Sequence, residues 1–281
     1  MTPESTLLDD LRVVSFAVNL PGPAAAQRLR QMGAQVVKVE PPAGDPMATY
    51  SPAWYEALAA GCERRTIDVK TPEGRGALDA LLADADVWLT AHRPSALARL
   101  GLAPDVLAAR HPRLCQVAVT GFAGLRADEA GHDLTYQAAL GLVEPPNLPR
   151  TLVADLAGAE RAVSAVLALL FARERSGRGG FLAVPLAEAA SAFADPLRFG
   201  VTLPGSVWGG GLPEYSLYAT RDGWVALAAL EPRFRDRLQG LLGIDTREGY
   251  AAAFAGRSCA EWQAWACVND LPLEAVRTRP E

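Results

Sequence analysis

Histidine and cysteine are scarce: the 281-residue chain has three histidines and four cysteines. Cys62, Cys115, Cys259 and Cys267 fall at irregular spacings. Cys259 and Cys267 could share a helical face two turns apart, but no further ligands lie near them, so no metal site is expected and the thiols are read as reduced. No run of basic residues occurs, and the formal net charge of -5 argues against a nucleic-acid partner, because a phosphate backbone calls for positive patches. The amino-terminal residues lack the basic-then-apolar pattern of a secretory signal. The most apolar window, near 162–172, is too short to span a bilayer and reads as a buried helix. A cytoplasmic protein is therefore expected, with no membrane association. The glycine turn at Gly22 has no GxGxxG pattern, which excludes a dinucleotide fingerprint there.

What is present is an ordinary globular composition, with about half the residues hydrophobic, and enough chain to bury a sizeable core. LRVVSFAV at 11–18 reads as a strand, AAAQRLRQMGA as a helix closed by Gly33, and QVVKVE as a second strand ended by two prolines. This is a parallel βαβ unit, the opening of an α/β sheet. The rhythm repeats through ERRTIDV, a helix begun by Thr71-Pro72-Glu73, and the strand VWLTA. RLCQVAVTGF supplies a further strand, and a polar, glycine-bearing loop over 121–131 follows it.

Residues 150–180 hold the longest apolar helix, running from Leu156 to about Arg175 and stopped by Ser-Gly-Arg-Gly-Gly. Its composition predicts burial over most of its surface. Asp155 stands at its expected N-cap, where backbone N–H groups and the helix dipole favour a carboxylate. Position alone leaves two readings open for Asp155, a cap or a carboxylate held at a cleft. His132 opens the helix of GHDLTYQAALG, beside a loop where binding residues tend to lie, and on its own a capping or packing role is favoured over a binding one. Lys38 reads as a solvated strand-end lysine or as an anion contact. Glu231, before Pro232, reads as the cap of the helix RFRDRLQGLLG.

Residues 201–214 are rich in glycine and proline and read as a linker or a loop over a site. EYSLYATRDGWVALAAL is a hairpin signal with an Arg-Asp-Gly turn. The expected organisation is a large domain over 1–200, the 201–214 segment, and a small α+β domain over 215–281.

The set RVVSFA…PGP…MGAQVVKVEPPAGDP, RRTIDVKTPEGR, ADVWLTAHRP…LARLGL and GHDLTY…ADLAG resembles the family III CoA-transferases (CaiB/BaiF) and their relatives, the alpha-methylacyl-CoA racemases. The resemblance runs from about residue 11 to 276. It implies a Rossmann-like large domain with an open, mostly parallel sheet, a small α+β domain, and a homodimer whose chains interlace as linked rings. Compared with that fold the chain is C-terminally shortened. The implied substrate is an acyl-CoA thioester, with no tightly bound cofactor.

The aspartate of ADLAG, acyl carrier in transferases and acid/base in racemases, falls on Asp155. The racemase branch is similar at the histidine of GHD, here His132, and at the glutamate of LEP, here Glu231; transferases generally carry an aromatic residue in place of the histidine. Arg93 and Lys38 correspond to basic CoA positions, with Ala59 and Gly61 near the nucleotide or pantetheine arm. The implied reaction inverts the α-carbon of a 2-methylacyl-CoA through an enolate. Asp155 serves one face and His132, oriented by Glu231, the other. The first N–H groups of the helix after Asp155 are expected to hold the enolate oxygen. The alternatives are CoA transfer through an aspartyl-CoA intermediate and a non-catalytic CoA-ester-binding protein.

Overall fold

Apolar strand runs and amphipathic helical runs alternate from Arg12 onward, and the chain folds as that alternation requires. The structure, a computed structural model, describes residues 7–277. It divides into two compact units, one ending at Ala194 and the other starting at Asp195. The glycine- and proline-rich segment at 201–214 thus belongs to the second unit.

The first unit runs β1 (Arg12–Phe16), α1 (Pro21–Gln31), β2 (Gln35–Glu40), α2 (Met47–Tyr50), α3 (Pro52–Ala59), β3 (Glu63–Thr66), α4 (Pro72–Ala83), β4 (Val87–Thr90), α5 (Pro94–Arg99), α6 (Pro104–Arg110), β5 (Cys115–Thr120), α7 (Asp133–Ala139), α8 (Val153–Ser176), β6 (Phe181–Pro185) and α9 (Leu186–Ser191). Its six strands are all parallel, in the order β3-β2-β1-β4-β5-β6. Because both faces are covered by helices, β4 and β5 are buried along their whole length and read as continuous runs rather than alternations. Leu29 of α1 and Val163 and Val166 of α8 pack on one face with Leu89 and Val117. On the other face Leu78, Leu82, Leu97 and Leu107 surround Trp88. Thr71 caps α4 as its sequence indicates, its Oγ1 accepting the Gly74 N–H at 3.0 Å.

Helix α8 departs from expectation. It buries a stripe of small residues, Ala154, Gly158, Ala159, Ala162 and Ala165 among them, while Leu156, Leu167 and Phe171 stay exposed. One face of the helix is covered within the chain, where Val163 and Val166 join the small residues, while Leu156, Leu167 and Phe171 lie on the other, so burial over most of its surface does not hold.

The second unit contains α10 (Asp195–Arg198), β7 (Tyr215–Ala219), β8 (Trp224–Ala228), α11 (Pro232–Leu242), α12 (Arg247–Ala255), α13 (Cys259–Val268) and β9 (Leu273–Ala275). Its antiparallel sheet has the order β7-β8-β9. The hairpin signal is realised between β7 and β8, where the Thr220 N–H donates to the Gly223 carbonyl at 2.9 Å. Tyr218, Tyr250, Phe254 and Trp262 build an aromatic core, and the Trp262 indole donates to the Phe254 carbonyl. Arg247 ties the glycine-rich segment to this unit by donating to the Gly210 carbonyl and the Ser216 hydroxyl. The architecture is the expected class, a parallel α/β unit and a small α+β unit. No described helix is long and apolar enough to cross a membrane.

Candidate active site

From β1 the sheet grows outward to β2 and β3, then resumes on the other side of β1 with β4. Such a reversal leaves a crevice at the carboxyl ends of the strands. A cavity of about 290 Å³ lies there, lined by Asn19 after β1, Arg93 after β4 and Gly121 after β5. His132, Tyr136 and Asp155 complete its wall. Two residues far apart in sequence, His132 and Asp155, thus share one cavity because α7 and α8 begin side by side.

The link between those two helix starts is Asp133. Its buried Oδ1 accepts the N–H groups of Ala154 at 2.7 Å and Asp155 at 3.1 Å. Its Oδ2 accepts from the Gln137 amide, whose nitrogen also donates to the Thr151 carbonyl at 3.0 Å. Two expectations change as a result. Helix α8 starts at Val153, so Asp155 is the third residue of its first turn rather than the N-cap, and Leu152 at the N-cap contributes no side-chain bond. The N–H groups of Ala154, Asp155 and Leu156 are also taken: Asp133 holds the first two, and that of Leu156 goes to the Leu152 carbonyl at 3.0 Å. They do not face an enolate oxygen.

Burial, and after it the charge of Asp133, push the Asp155 carboxyl up to about 7. Tyr136, edge-on to Phe122, is raised by burial and by Asp155, with Arg93 opposing. Its hydroxyl lies against Gly121 and its ring edge against Gly131, so close that a Cβ on either glycine would clash with it. The glycines of the 121–131 loop make room for that ring. The loop's last turn is closed by Thr135, whose Oγ1 accepts the His132 N–H at 3.0 Å.

The model of CoA-transferase family III matches residues 8–281. The chain belongs to that family. It is 29% identical to the alpha-methylacyl-CoA racemase of Homo sapiens, over 91% of this chain and 74% of the relative. It is 32% identical to the succinate--glutarate CoA-transferase of Agrobacterium fabrum, over 84% of this chain and 66% of the relative. Among solved structures, a hypothetical protein from Mycobacterium tuberculosis superposes with a TM-score of 0.84 at 27% identity, covering 96% of this chain and 83% of the other. Family membership places the chain within the general chemistry of the CoA-transferase and racemase superfamily.

For a family III chain, the other expected site residues divide sharply. Arg93 is in the Asp155 cavity. Lys38 is not a free cation: it is 3% exposed, its Nζ held by Glu40 and by Asp45 at 2.7 Å, over the Tyr55 ring. Asp45 in turn accepts the N–H groups of Asn19 and Met47. Lys38 therefore fastens β2 to the turn after β1, its charge already answered by two carboxylates. Replacing Lys38 with Met strands two carboxylates without their cation; a loss of about 3–5 kcal/mol is expected, read as a fall in Tm of roughly 10 °C.

Ala59 is buried in the last turn of α3. Gly61 precedes β3 and lies beside Arg30, lining a cavity with Arg12 and Gln35. Those residues start β1 and β2, so Gly61 is at the amino edge of the sheet, opposite the crevice. Neither residue joins the candidate site. Glu231 belongs to the second unit, at the N-cap position of α11. Its carbonyl accepts from Phe234 while its exposed side chain makes no capping bond, so the cap reading fails for its carboxylate.

Sequence reasoning missed Asp133 and Gln137, and also a second cavity of about 530 Å³ lined by Phe16, Asp68, Lys70, His92 and Arg99. These residues follow or end β1, β3 and β4, or close α5. The His92 ring stacks on Phe16 at 4.2 Å, and burial lowers its pKa below the usual imidazole range. Lys70 was findable, since it follows a predicted strand on the carboxyl edge; Arg99 closes α5 and is brought there by that helix. Among the described residues no group of three or more His, Cys, Asp or Glu side chains is placed to hold a metal.

Proposed function

We propose that this chain racemises the α-carbon of a 2-methylacyl-CoA thioester, with Asp155 and His132 as the two acid/base groups. The supporting observation is that both line one cavity at the switch point of the sheet. Removal of a proton α to a thioester and its return on the opposite face require two proton carriers flanking the carbon. A carboxyl group at about 7 is suited to give and take a proton near neutrality. Arg93, in the same cavity, supplies positive charge toward the developing enolate in place of the α8 N–H groups. Glu231 remains in the set on its motif alone.

The nucleotide end of CoA is assigned to the second cavity, where Lys70 and Arg99 offer cations for phosphate and Phe16 and His92 present a stacked pair of rings. Arg99→Ala is expected to raise KM for the CoA ester about tenfold with kcat nearly unchanged, since the contact is made equally in ground and transition states. Steady-state kinetics checks this. A homodimer belongs to the same proposal; Leu167, Phe171 and Phe181, apolar and exposed on α8 and β6, support it.

The second reading is CoA transfer, and the comparisons favour it over the first. The transferase relatives reach 31–32% identity against 29–30% for the racemases. In that reaction the Asp155 carboxylate attacks the thioester carbonyl and expels CoA thiolate to give a mixed anhydride. The thiolate then attacks the aspartyl carbonyl, releasing the substrate's carboxylate and leaving CoA on Asp155 as a thioester. Intact-protein mass measurement separates the two. Incubation with an acyl-CoA leaves the mass unchanged if the chain is a racemase; a CoA adduct that disappears in Asp155→Asn makes it a transferase.

A further inference from the structure

We infer that Asp133 is a positioning residue for Asp155: fixed by Gln137, its carboxylate caps the first turn of α8 from the neighbouring helix and sets where the Asp155 side chain stands beside His132. The inference rests on the reading of Asp155 as an acid/base group. A helix start is ordinarily capped by its own N-cap side chain, and Ser, Thr, Asp or Asn at position 152 would serve. Here position 152 is a leucine, and the cap arrives from α7. The donors that answer the Asp133 carboxylate are two backbone N–H groups and one amide, not a cation. A negative charge is thereby held, 5% exposed, against the peptide that carries Asp155.

An ordinary cap secures a helix. This one also acts on the proton of the next carboxyl group, because its charge is unneutralised at close range and desolvated. The remaining charged or titratable groups facing Asp155 across the cavity are His132 and Tyr136 from α7, Arg93 from the end of β4 and Glu129 from the loop before α7. Asp133 is the one bonded to its backbone.

Asp133→Asn removes the charge while its amide oxygen can still accept both N–H groups on the Oδ1 side. The bond from Gln137 is lost, because the new NH2 cannot accept it; the double variant with Gln137→Glu, whose carboxyl oxygen can accept from that NH2, checks that the cap is kept. In protein carrying ¹³C-labelled aspartate and no substrate, the Asp155 carboxyl signal, assigned by its loss in Asp155→Asn, should titrate near 7. In Asp133→Asn its midpoint should move toward the ordinary carboxylate range. The acid limb of the pH profile for α-proton exchange should move to lower pH by the same interval. Asp133→Ala, which removes the cap as well, should lower kcat about 100-fold with KM little changed, as a misplaced acid/base group does.

Hydrogen exchange on the unmodified protein needs no variant to fold. The Ala154 and Asp155 amides should be protected about 100-fold over unstructured chain. An unmoved Asp155 midpoint in Asp133→Asn, or unprotected amides in the unmodified protein, overturns the inference. If the midpoint shifts while no form of the protein exchanges a substrate α-proton, the coupling between the two aspartates stands and the racemase reading is what fails.

Discussion

Replacing Asp155 with Asn is expected to lower turnover of a CoA ester about 1,000-fold, the usual contribution of a positioned acid/base group, and to make the protein more stable at the same time. The first effect follows from the cavity: the amide keeps the shape but can neither take nor return a proton. The second follows from linkage. The fold raises the Asp155 pKa from 3.8 to about 7, so the folded state disfavours its charged form. The penalty is absent below the unfolded value, grows as pH rises between 3.8 and 7, and is complete above that. Thermal melts should therefore show a higher Tm for Asp155→Asn at pH 8, with the gap narrowing at pH 5. A variant that loses activity and stability together at pH 8 would mark Asp155 as a structural residue. Sites that hold strained or desolvated groups for chemistry give this opposition of stability and activity.

His132→Asn is expected to lower interconversion of the two epimers about 1,000-fold, while exchange of the α-proton with solvent persists for one epimer alone. Asp155 can still remove and return a proton on its own face of the carbon; the opposite face has lost its carrier. Following each enantiopure 2-methylacyl-CoA separately by proton NMR in deuterated solvent shows the asymmetry. CoA transfer has no step that calls on this imidazole, so a transferase would keep most of its activity in the variant. Equal loss of exchange from both epimers would mean that His132 does not act on one face.

Local chemistry was legible where it is decided locally. The Thr71-Pro72 helix start, the Arg-Asp-Gly hairpin and the alternation that builds a parallel sheet each depend on neighbours within a few residues. Arg93 was legible only through the family motif, as a basic CoA position; that it shares a cavity with Asp155 follows from the fold, where the residues after β4 and the start of α8 meet at the carboxyl edge. What escaped depends on residues meeting across the fold. Lys38 follows the pattern of a strand-end lysine, and only the return of Asp45 across the loop buries it. The true cap of α8 lies on α7, so a reading of the helix's own first residues put Asp155 in that role and assigned its N–H groups to an oxyanion. Gly61 was placed by a motif, whereas the direction of β3 puts it on the opposite edge. The outward leucines and phenylalanine of α8 were read as buried because composition counts apolar residues without saying which face carries the large ones.

The most direct test of the central claim is incorporation of solvent deuterium at the α-carbon of an enantiopure 2-methylacyl-CoA in the presence of the unmodified protein. Two-base racemisation by Asp155 and His132 predicts deuterium at that carbon together with formation of the other epimer. Substrate that keeps its α-proton and its configuration while CoA moves to an added carboxylate would contradict it.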